Sequence, residues 1–176
     1  MLQPRARWVF PTIAEPDPRL TAAGTELGLS SRIVGLLARR GLATAGDVER
    51  FVGDASAGLH DPALLPDAAA FLARIAAARD RGERVLVFGD FDADGITGLA
   101  ILTIALRAYG VEVIPYVPSR LDEGHGLSLA ALDAAAREGA RLIVTVDTGT
   151  TSVAEIAVAV ARGIDVVVTD HHRVPA

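Results

Sequence analysis

The sequence has no cysteine, no lysine and no long apolar run among its 176 residues. The lack of cysteine excludes disulfide bonds and zinc sites that are built from thiolates. No apolar stretch approaches the ~18 residues that a membrane-spanning helix needs, and the first residues lack the apolar core of a secretory signal. We therefore expect a cytoplasmic protein with no membrane partner.

The charge of the chain narrows the possible functions further. Its net charge of -5 argues against strong nucleic-acid binding by this chain alone. All 17 basic residues are arginine, which a mutational bias toward arginine and alanine codons explains better than selection for phosphate recognition. The sequence contains no Walker-type glycine loop, no Ser-His-Asp pattern and no cysteine nucleophile.

The order of helical and strand patterns predicts an α/β fold. Four predicted helices stop at a glycine just before a β-branched run, which is typical of a parallel sheet wound with helices. The predicted strands cover residues 85–90, 111–117, 142–147 and 165–169. We expect a mostly parallel sheet with helices on both faces, in an order that one sequence does not give.

The segment before this α/β region is predicted to be a separate, smaller part. Residues 1–20 carry four prolines and are predicted to be extended and irregular. Two short helices should follow, at about residues 31–40 and 45–52. We expect an N-terminal segment of residues 1–58 and an α/β lobe of residues 59–176.

Three of the predicted strands end in acidic residues. These residues are Asp90, Asp92 and Asp94 after the first strand, Asp147 after the third, and Asp170 with His171 and His172 after the fourth. The carboxyl ends of parallel strands lie at one edge of a sheet, so these side chains should converge. Such a group would repel itself unless a multivalent cation held it. Mostly oxygen ligands with a few imidazoles favour Mn²⁺ or Mg²⁺ over a structural zinc site.

Simpler explanations account for parts of this pattern. An acidic turn alone is usually a solvated loop, and a calcium loop would need flanking helices and a later acidic ligand. Ser152 and Glu155 are predicted to form a capping box for the next helix. Neither explanation covers Asp147, an acid that closes a buried strand. We therefore predict two ions bridged by a shared carboxylate, which would promote hydrolysis of a phosphate ester or anhydride.

These residues resemble a known family. The GDFDADG run, the strand-terminal Asp147 and the Asp170-His171-His172 run are similar, in that order, to the first three motifs of the DHH phosphoesterase superfamily. Residues 59–62, 82–83 and 118–127 resemble its RecJ branch. That resemblance, over residues 59–172, implies a 5′→3′ exonuclease for single-stranded DNA that uses Mn²⁺ or Mg²⁺ in repair and recombination. A helicase and a single-strand-binding protein are further partners that it implies.

The resemblance also implies roles for single residues. The implied metal ligands are Asp92, Asp94, Asp147 and His171, with Asp90 as a ligand or as a partner of one. Asp170 would orient the histidines, and His172 would contact the scissile phosphate or the attacking water. Arg120 would contact a DNA phosphate, although a solvated loop arginine is an equally simple interpretation of it. His125 stands where the RecJ branch usually has a tyrosine, and it is the second residue that we expect to contact the nucleic acid.

The resemblance stops before the family's fourth motif, which carries a further aspartate ligand. The second lobe and the OB domain of the family are also missing, so we expect residues 1–176 to bind metal weakly and to hydrolyse little alone. Two other functions remain open. One is a phosphodiesterase for short oligonucleotides or cyclic dinucleotides, which usually carries a histidine where Phe88 stands. The other is a non-catalytic scaffold in DNA replication, although such relatives usually lose their acidic ligands.

Overall fold

The computed structural model describes Arg7, Val9 and residues 16–173. The chain divides into two compact units, Met1–Leu64 and Leu65–Ala176. The boundary that the sequence predicts near residue 58 stays a prediction. Among the described residues, no helix combines the length and the apolar character that crossing a membrane requires.

The first unit is a small helical cluster. Its helices are α1 (Pro18–Glu26), α2 (Ser31–Arg39) and α3 (Ala45–Val52), followed by short 3₁₀ turns at Ala55–Gly58 and Pro62–Leu64. Leu20, Val34, Leu37 and Val48 form its buried core. The two helices predicted at about residues 31–40 and 45–52 are thereby confirmed.

The prediction of extended chain over residues 1–20 is wrong at its end. Helix α1 begins at Pro18, where the side chain of Asp17 accepts a hydrogen bond from the N–H of Arg19 at 2.8 Å. Proline suits the first helical position because the N–H that it lacks would have no partner there. The rest of this prediction falls mostly on residues 1–6, 8 and 10–15, which lie outside the described residues.

The second unit is built around a four-stranded parallel sheet. Its strands are β1 (Arg84–Gly89), β2 (Glu112–Tyr116), β3 (Ala140–Val146) and β4 (Asp165–Thr169). They lie in the order β2-β1-β3-β4, and each neighbouring pair is parallel. The predicted parallel sheet is confirmed, and its order is information that the sequence did not supply.

Helices cover both faces of this sheet. The helices are α4 (Ala68–Asp80), α5 (Ala93–Ala108), α6 (Leu129–Arg137) and α7 (Val153–Ala161). On one face, Val87 and Val144 pack with Ile75 of α4 and Leu99 of α5. The other face carries Leu86, Phe88 and Ile143, which pack with Leu132 of α6 and Ala159 of α7. Alternate residues of the strands thus fill two cores, as the α/β prediction requires.

Capping residues set the ends of these four helices. Each of the four is followed by a glycine at positive φ, namely Gly82, Gly110, Gly139 and Gly163. The helical pattern after the first strand of the sequence predicts a helix that begins near Ile96, but α5 begins three residues earlier, at Ala93. The reason is Asp92, whose Oδ1 accepts a hydrogen bond from the N–H of Gly95 at 3.0 Å and so caps the helix. Asp94 consequently lies in the first helical turn.

The register of the sheet aligns the carboxyl ends of three strands. Gly89 of β1 pairs with Val146 of β3, and Val146 pairs with Thr169 of β4. Each of these residues is followed directly by an aspartate, and these are Asp90, Asp147 and Asp170. The acidic residues therefore begin at the same level of one sheet edge.

Candidate metal centre

Asp147 lies at the middle of this edge. Its N–H donates a hydrogen bond to the carbonyl oxygen of Thr169 at 2.8 Å, which extends the β3–β4 pairing by one residue. Its φ is 61°, in the left-handed region that aspartate enters more readily than most residues. Its side chain is only 9% exposed, so the carboxylate is held in a largely buried position.

Two histidines that follow β4 face this carboxylate. One potential ligand atom from each of Asp147, His171 and His172 lies within 4.8 Å of the other two. Oδ1 of Asp147 is 2.9 Å from Nε2 of His171, but it receives no hydrogen bond of acceptable geometry from the described residues. A buried carboxylate oxygen without a donor is costly, and a cation would supply the missing partner.

The residues present fit a divalent metal ion. Octahedral ligand atoms at about 2.1 Å from one ion stand roughly 3.0 Å apart when adjacent and roughly 4.2 Å apart when opposite, so this group, with its ligand atoms within 4.8 Å of one another, needs to contract only a little. The two imidazoles are exposed, and their ring centroids are 4.7 Å apart with a 39° tilt, so small rotations would bring them onto an ion. Asp147 and His171, with further oxygen ligands, would form a mostly oxygen set, which suits Mn²⁺ or Mg²⁺, and His172 stands beside them.

Asp170 supports the second histidine. Its Oδ1 accepts a hydrogen bond from the N–H of His172 at 3.0 Å and lies 2.7 Å from Nδ1 of the same residue. Its Oδ2 accepts a hydrogen bond from the N–H of Thr150 at 3.0 Å. Burial raises the pKa of Asp170, but the hydrogen bonds from Thr150 and His172 outweigh it and hold that pKa well below its usual range. The hydrogen bond with Asp170 in turn raises the pKa of His172.

The aspartates that follow β1 occupy different positions. The N–H of Gly95 lowers the pKa of Asp92, burial opposes this effect, and the N–H of Asp94 lowers it further. Asp94 is exposed. In the described part of the chain, neither Asp92 nor Asp94 belongs to the group of atoms within 4.8 Å.

Asp90 contacts the loop between β2 and α6. It is 5% exposed, and its Oδ2 lies 3.1 Å from Nδ1 of His125. The ring of His125 packs on that of Phe91 with centroids 4.4 Å apart, and Cζ of Arg120 lies 5.3 Å from the centroid of Phe91. These three side chains form what we call the Arg120–Phe91–His125 column. The sequence analysis names Arg120 and His125 but not Phe91. The signal for Phe91 is that it is an aromatic residue inside an acidic run.

Glu123 stabilises the conformation of the loop between β2 and α6. Its carboxylate accepts hydrogen bonds from the N–H of Ser119 at 2.8 Å and from the hydroxyl of Tyr116 at 2.9 Å. A third bond comes from the hydroxyl of Ser128. Burial raises the pKa of Glu123, but the bonds from Ser128, Ser119 and Tyr116 prevail and lower it. Glu123 is a further residue that the sequence did not single out.

Ser152 joins this loop to the turn that carries Asp147. Its Oγ accepts a hydrogen bond from the N–H of Leu127 at 3.0 Å. The predicted capping box of Ser152 and Glu155 is wrong, because the Ser152 side chain makes no capping bond to α7. Its oxygen is occupied by a residue 25 positions earlier, a contact that local spacing does not reveal.

Known proteins are similar in sequence to this chain over the region that contains the site. Residues 84–176, more than half of the chain, match the N-terminal domain of the DHH family. The chain is 34% identical over 173 residues to the single-stranded-DNA-specific exonuclease RecJ of Bacillus subtilis, which covers 98% of this chain and 22% of that protein. It is 41% identical over 157 residues to the protein of the same name from Dickeya dadantii, covering 88% of this chain and 27% of that one.

Solved structures agree with these relatives. Exonuclease RecJ bound to manganese superposes with a TM-score of 0.55 at 41% identity, over 59% of this chain and 27% of that chain. RecJ of Thermus thermophilus in complex with Mn²⁺ gives a TM-score of 0.58 at 28% identity, over 91% of this chain and 22% of that chain. The chain therefore spans about a quarter of the length of these relatives. The predicted resemblance is confirmed, and the chain belongs to the DHH family.

Proposed function

We propose that this chain is the catalytic lobe of a metal-dependent exonuclease that degrades single-stranded DNA from its 5′ end in repair and recombination. The observation that carries the proposal is the buried carboxylate of Asp147, whose Oδ1 receives no hydrogen bond of acceptable geometry from the described residues and lies 2.9 Å from Nε2 of the exposed His171, with His172 close by. The RecJ relatives, which are single-stranded-DNA-specific exonucleases, supply the substrate class.

The metal ligands that we propose are Asp92, Asp94, Asp147 and His171, with Asp90 as a ligand or a partner of one. Bound Mn²⁺ or Mg²⁺, two ions in the complete enzyme, would stabilise the charge that develops on the phosphoryl group. The Asp170 carboxylate orients the ring of His172, which leaves the Nε2 side of that ring free to meet the scissile phosphate or the attacking water.

The Arg120–Phe91–His125 column is the proposed contact for the DNA strand. Arg120 is exposed and carries the positive charge that a phosphate would meet, and the aromatic rings beneath it offer surface for a base. The column stands beside Asp90, whose N–H donates a hydrogen bond to the carbonyl oxygen of Val146, the residue before Asp147. Its position supports a strand that runs across the acidic edge.

The observations disfavour the other candidate functions. Phe88, at the position that carries a histidine in the phosphodiesterases of short oligonucleotides, is fully buried and stacks on Tyr116 with centroids 5.7 Å apart. It therefore belongs to the core and offers no ligand. A scaffold without catalysis would have no need for Asp147 in a strained and buried position with two imidazoles before it.

We propose that the activity takes place in the cytoplasm, where bacterial DNA lies, and that a helicase and a single-strand-binding protein supply and present the strand. Because the chain spans about a quarter of its relatives, we expect this chain alone to hydrolyse DNA slowly.

Metal-dependent hydrolysis tests the proposed function. We expect the chain to bind Mn²⁺ in a calorimetric titration and, at high protein concentration, to release mononucleotides from a 5′-phosphorylated single-stranded oligonucleotide. EDTA should stop the release because the phosphoryl charge then has no counter-ion. Electrophoresis of 3′-labelled DNA follows the shortening of the strand as nucleotides are removed.

Three comparisons make that experiment decisive. A duplex of the same sequence and a dinucleotide should be cleaved more slowly than the single strand, and a 5′-labelled strand should lose its label first. Faster cleavage of the dinucleotide would favour the short-oligonucleotide phosphodiesterase. A chain that binds no Mn²⁺ at all would overturn the proposed metal centre.

Replacing Arg120 by glutamine should weaken the binding of single-stranded DNA. When a protein neutralises one phosphate fewer on a single strand, the slope of log affinity against log salt falls by about 0.7. We expect that reduction, together with a roughly threefold to tenfold weaker affinity at low salt, because one charge-assisted bond is worth about 1 kcal/mol in an exposed position. Fluorescence anisotropy at several salt concentrations measures both quantities.

Arg141→Gln is the matched control for this variant. Arg141 is also exposed, but it lies at the start of β3, at the opposite edge of the sheet. The same loss of charge there should leave the salt slope unchanged. Equal effects of the two substitutions would mean that Arg120 acts only through the net charge of the chain.

A further inference from the structure

Thr145 is a buried hydroxyl beside the turn that carries Asp147. It is the only polar side chain in the run of residues 142–146, and it is fully buried. Its Oγ1 donates a hydrogen bond to the carbonyl oxygen of Thr148 at 2.7 Å. Its own carbonyl oxygen accepts a hydrogen bond from the hydroxyl of Thr169. The hydrogen bond therefore spans the turn that contains Asp147, because it joins Thr145 on one side of that residue to Thr148 on the other.

The turn that this bond closes has little freedom. Asp147 has a φ of 61° and Gly149 a φ of 112°. A Cβ at position 149 would lie 2.6 Å from Oγ1 of Thr145, so the hydroxyl fills space that only glycine leaves open. A residue other than glycine persists in the left-handed region when its surroundings hold it there. The bond from Thr145 to Thr148 is such a restraint.

We infer that Thr145 is a positioning residue, which fixes the buried Oδ1 of Asp147 in place for a divalent ion. The inference rests on the proposed function, because it concerns the metal centre proposed there. The hydroxyl touches neither the ion nor the substrate. It acts through the turn, since a freed turn would let Asp147 return to negative φ and swing its carboxylate away from His171. Partners of this kind are worth about 10- to 100-fold in metal affinity.

The test is the Mn²⁺ affinity of three forms of the chain, measured by electron paramagnetic resonance of free Mn²⁺ at a temperature where all are folded. Thr145→Val keeps the shape of the side chain and removes the hydroxyl, so its dissociation constant should rise at least about 10-fold. Thr145→Ser keeps the hydroxyl and should remain close to the wild type. If the valine variant does not fold, Thr145→Cys, with a weak donor of similar size, takes its place.

Two control variants separate positioning from general stability. Thr103→Val removes another buried hydroxyl, one that has no hydrogen-bond partner among the described residues, and should leave the affinity unchanged. Val113→Ala weakens the core at β2 without touching the turn. It should lower the unfolding midpoint but not the Mn²⁺ affinity of the folded chain.

The outcomes are distinct. Loss of affinity in Thr145→Val with recovery in Thr145→Ser supports the inference. Equal Mn²⁺ affinity in the wild type and Thr145→Val overturns it and leaves the proposed metal centre standing. An equal loss in Val113→Ala also overturns it, because stability alone would then explain the effect. A wild-type chain that binds no Mn²⁺ removes the proposed function and the inference together.

Discussion

Replacing Asp147 by asparagine should weaken Mn²⁺ binding by at least about 100-fold, because even the partners of a ligand are worth 10- to 100-fold. The substitution removes the charge of the buried carboxylate and almost nothing else. Asparagine tolerates the left-handed φ of 61° at this position, so the turn should keep its shape. Calorimetric titration with Mn²⁺ measures the affinity, and any hydrolysis of single-stranded DNA should fall with it.

The metal-free form of this variant provides a second result of opposite sign. Oδ1 of Asp147 is buried and receives no hydrogen bond of acceptable geometry from the described residues, and its neighbour His171 is exposed to water, so neutralising the carboxylate should leave the free energy of unfolding unchanged or raise it. Asp133→Asn is the control, since Asp133 is an exposed partner of Arg162 and lies on α6. The Asp133→Asn substitution should change neither the Mn²⁺ affinity nor the free energy of unfolding noticeably. An Asp147→Asn chain that binds Mn²⁺ as the wild type does would mean that the metal, if any, lies elsewhere.

The sheet was predictable because its signals are local. Each strand is a short β-branched run that follows a helix-ending glycine, and each such glycine has the positive φ that its position implied. The order β2-β1-β3-β4 was not predictable, because it depends on which strands pair across the sheet. The start of α5 at Ala93 does not follow from the apolar spacing, because the cap by the Asp92 side chain sets it.

The site divides in the same way between local and distant signals. Asp147 directly follows β3, and the two histidines come just after Asp170 at the end of β4, so the sequence points to all three, and the register brings the strand ends level. The role of Ser152 was misread because its partner Leu127 lies in another loop. Thr145 carried a signal, a hydroxyl inside an apolar strand, but its partner on the turn appears only in three dimensions. The spacing of residues along one sequence does not reveal which loops contact each other.

Replacing Gly95 by alanine should lower the free energy of unfolding by about 3 kcal/mol, at the upper end of what overpacking usually costs. A Cβ at this position would lie 2.4–2.6 Å from the N, C and O atoms of Asp90. Backbone atoms cannot rotate aside, so the first turn of α5 must move away from the end of β1. That movement also disturbs the hydrogen bond that the N–H of Gly95 donates to Oδ1 of Asp92, and Mn²⁺ affinity should fall along with stability. Urea denaturation followed by circular dichroism measures the first effect.

Gly35→Ala is the matched control, because a Cβ there would meet no atom within 4 Å and Gly35 lies inside α2. Alanine in a helix interior is favoured over glycine by about 0.5–1 kcal/mol, so this variant should be neutral or more stable. Opposite signs for the two substitutions would show that Gly95 is required for the close approach of α5 to Asp90 and not for flexibility. A stable Gly95→Ala chain with unchanged Mn²⁺ affinity would contradict this, and it would separate the GDFDADG run from the geometry of the metal centre.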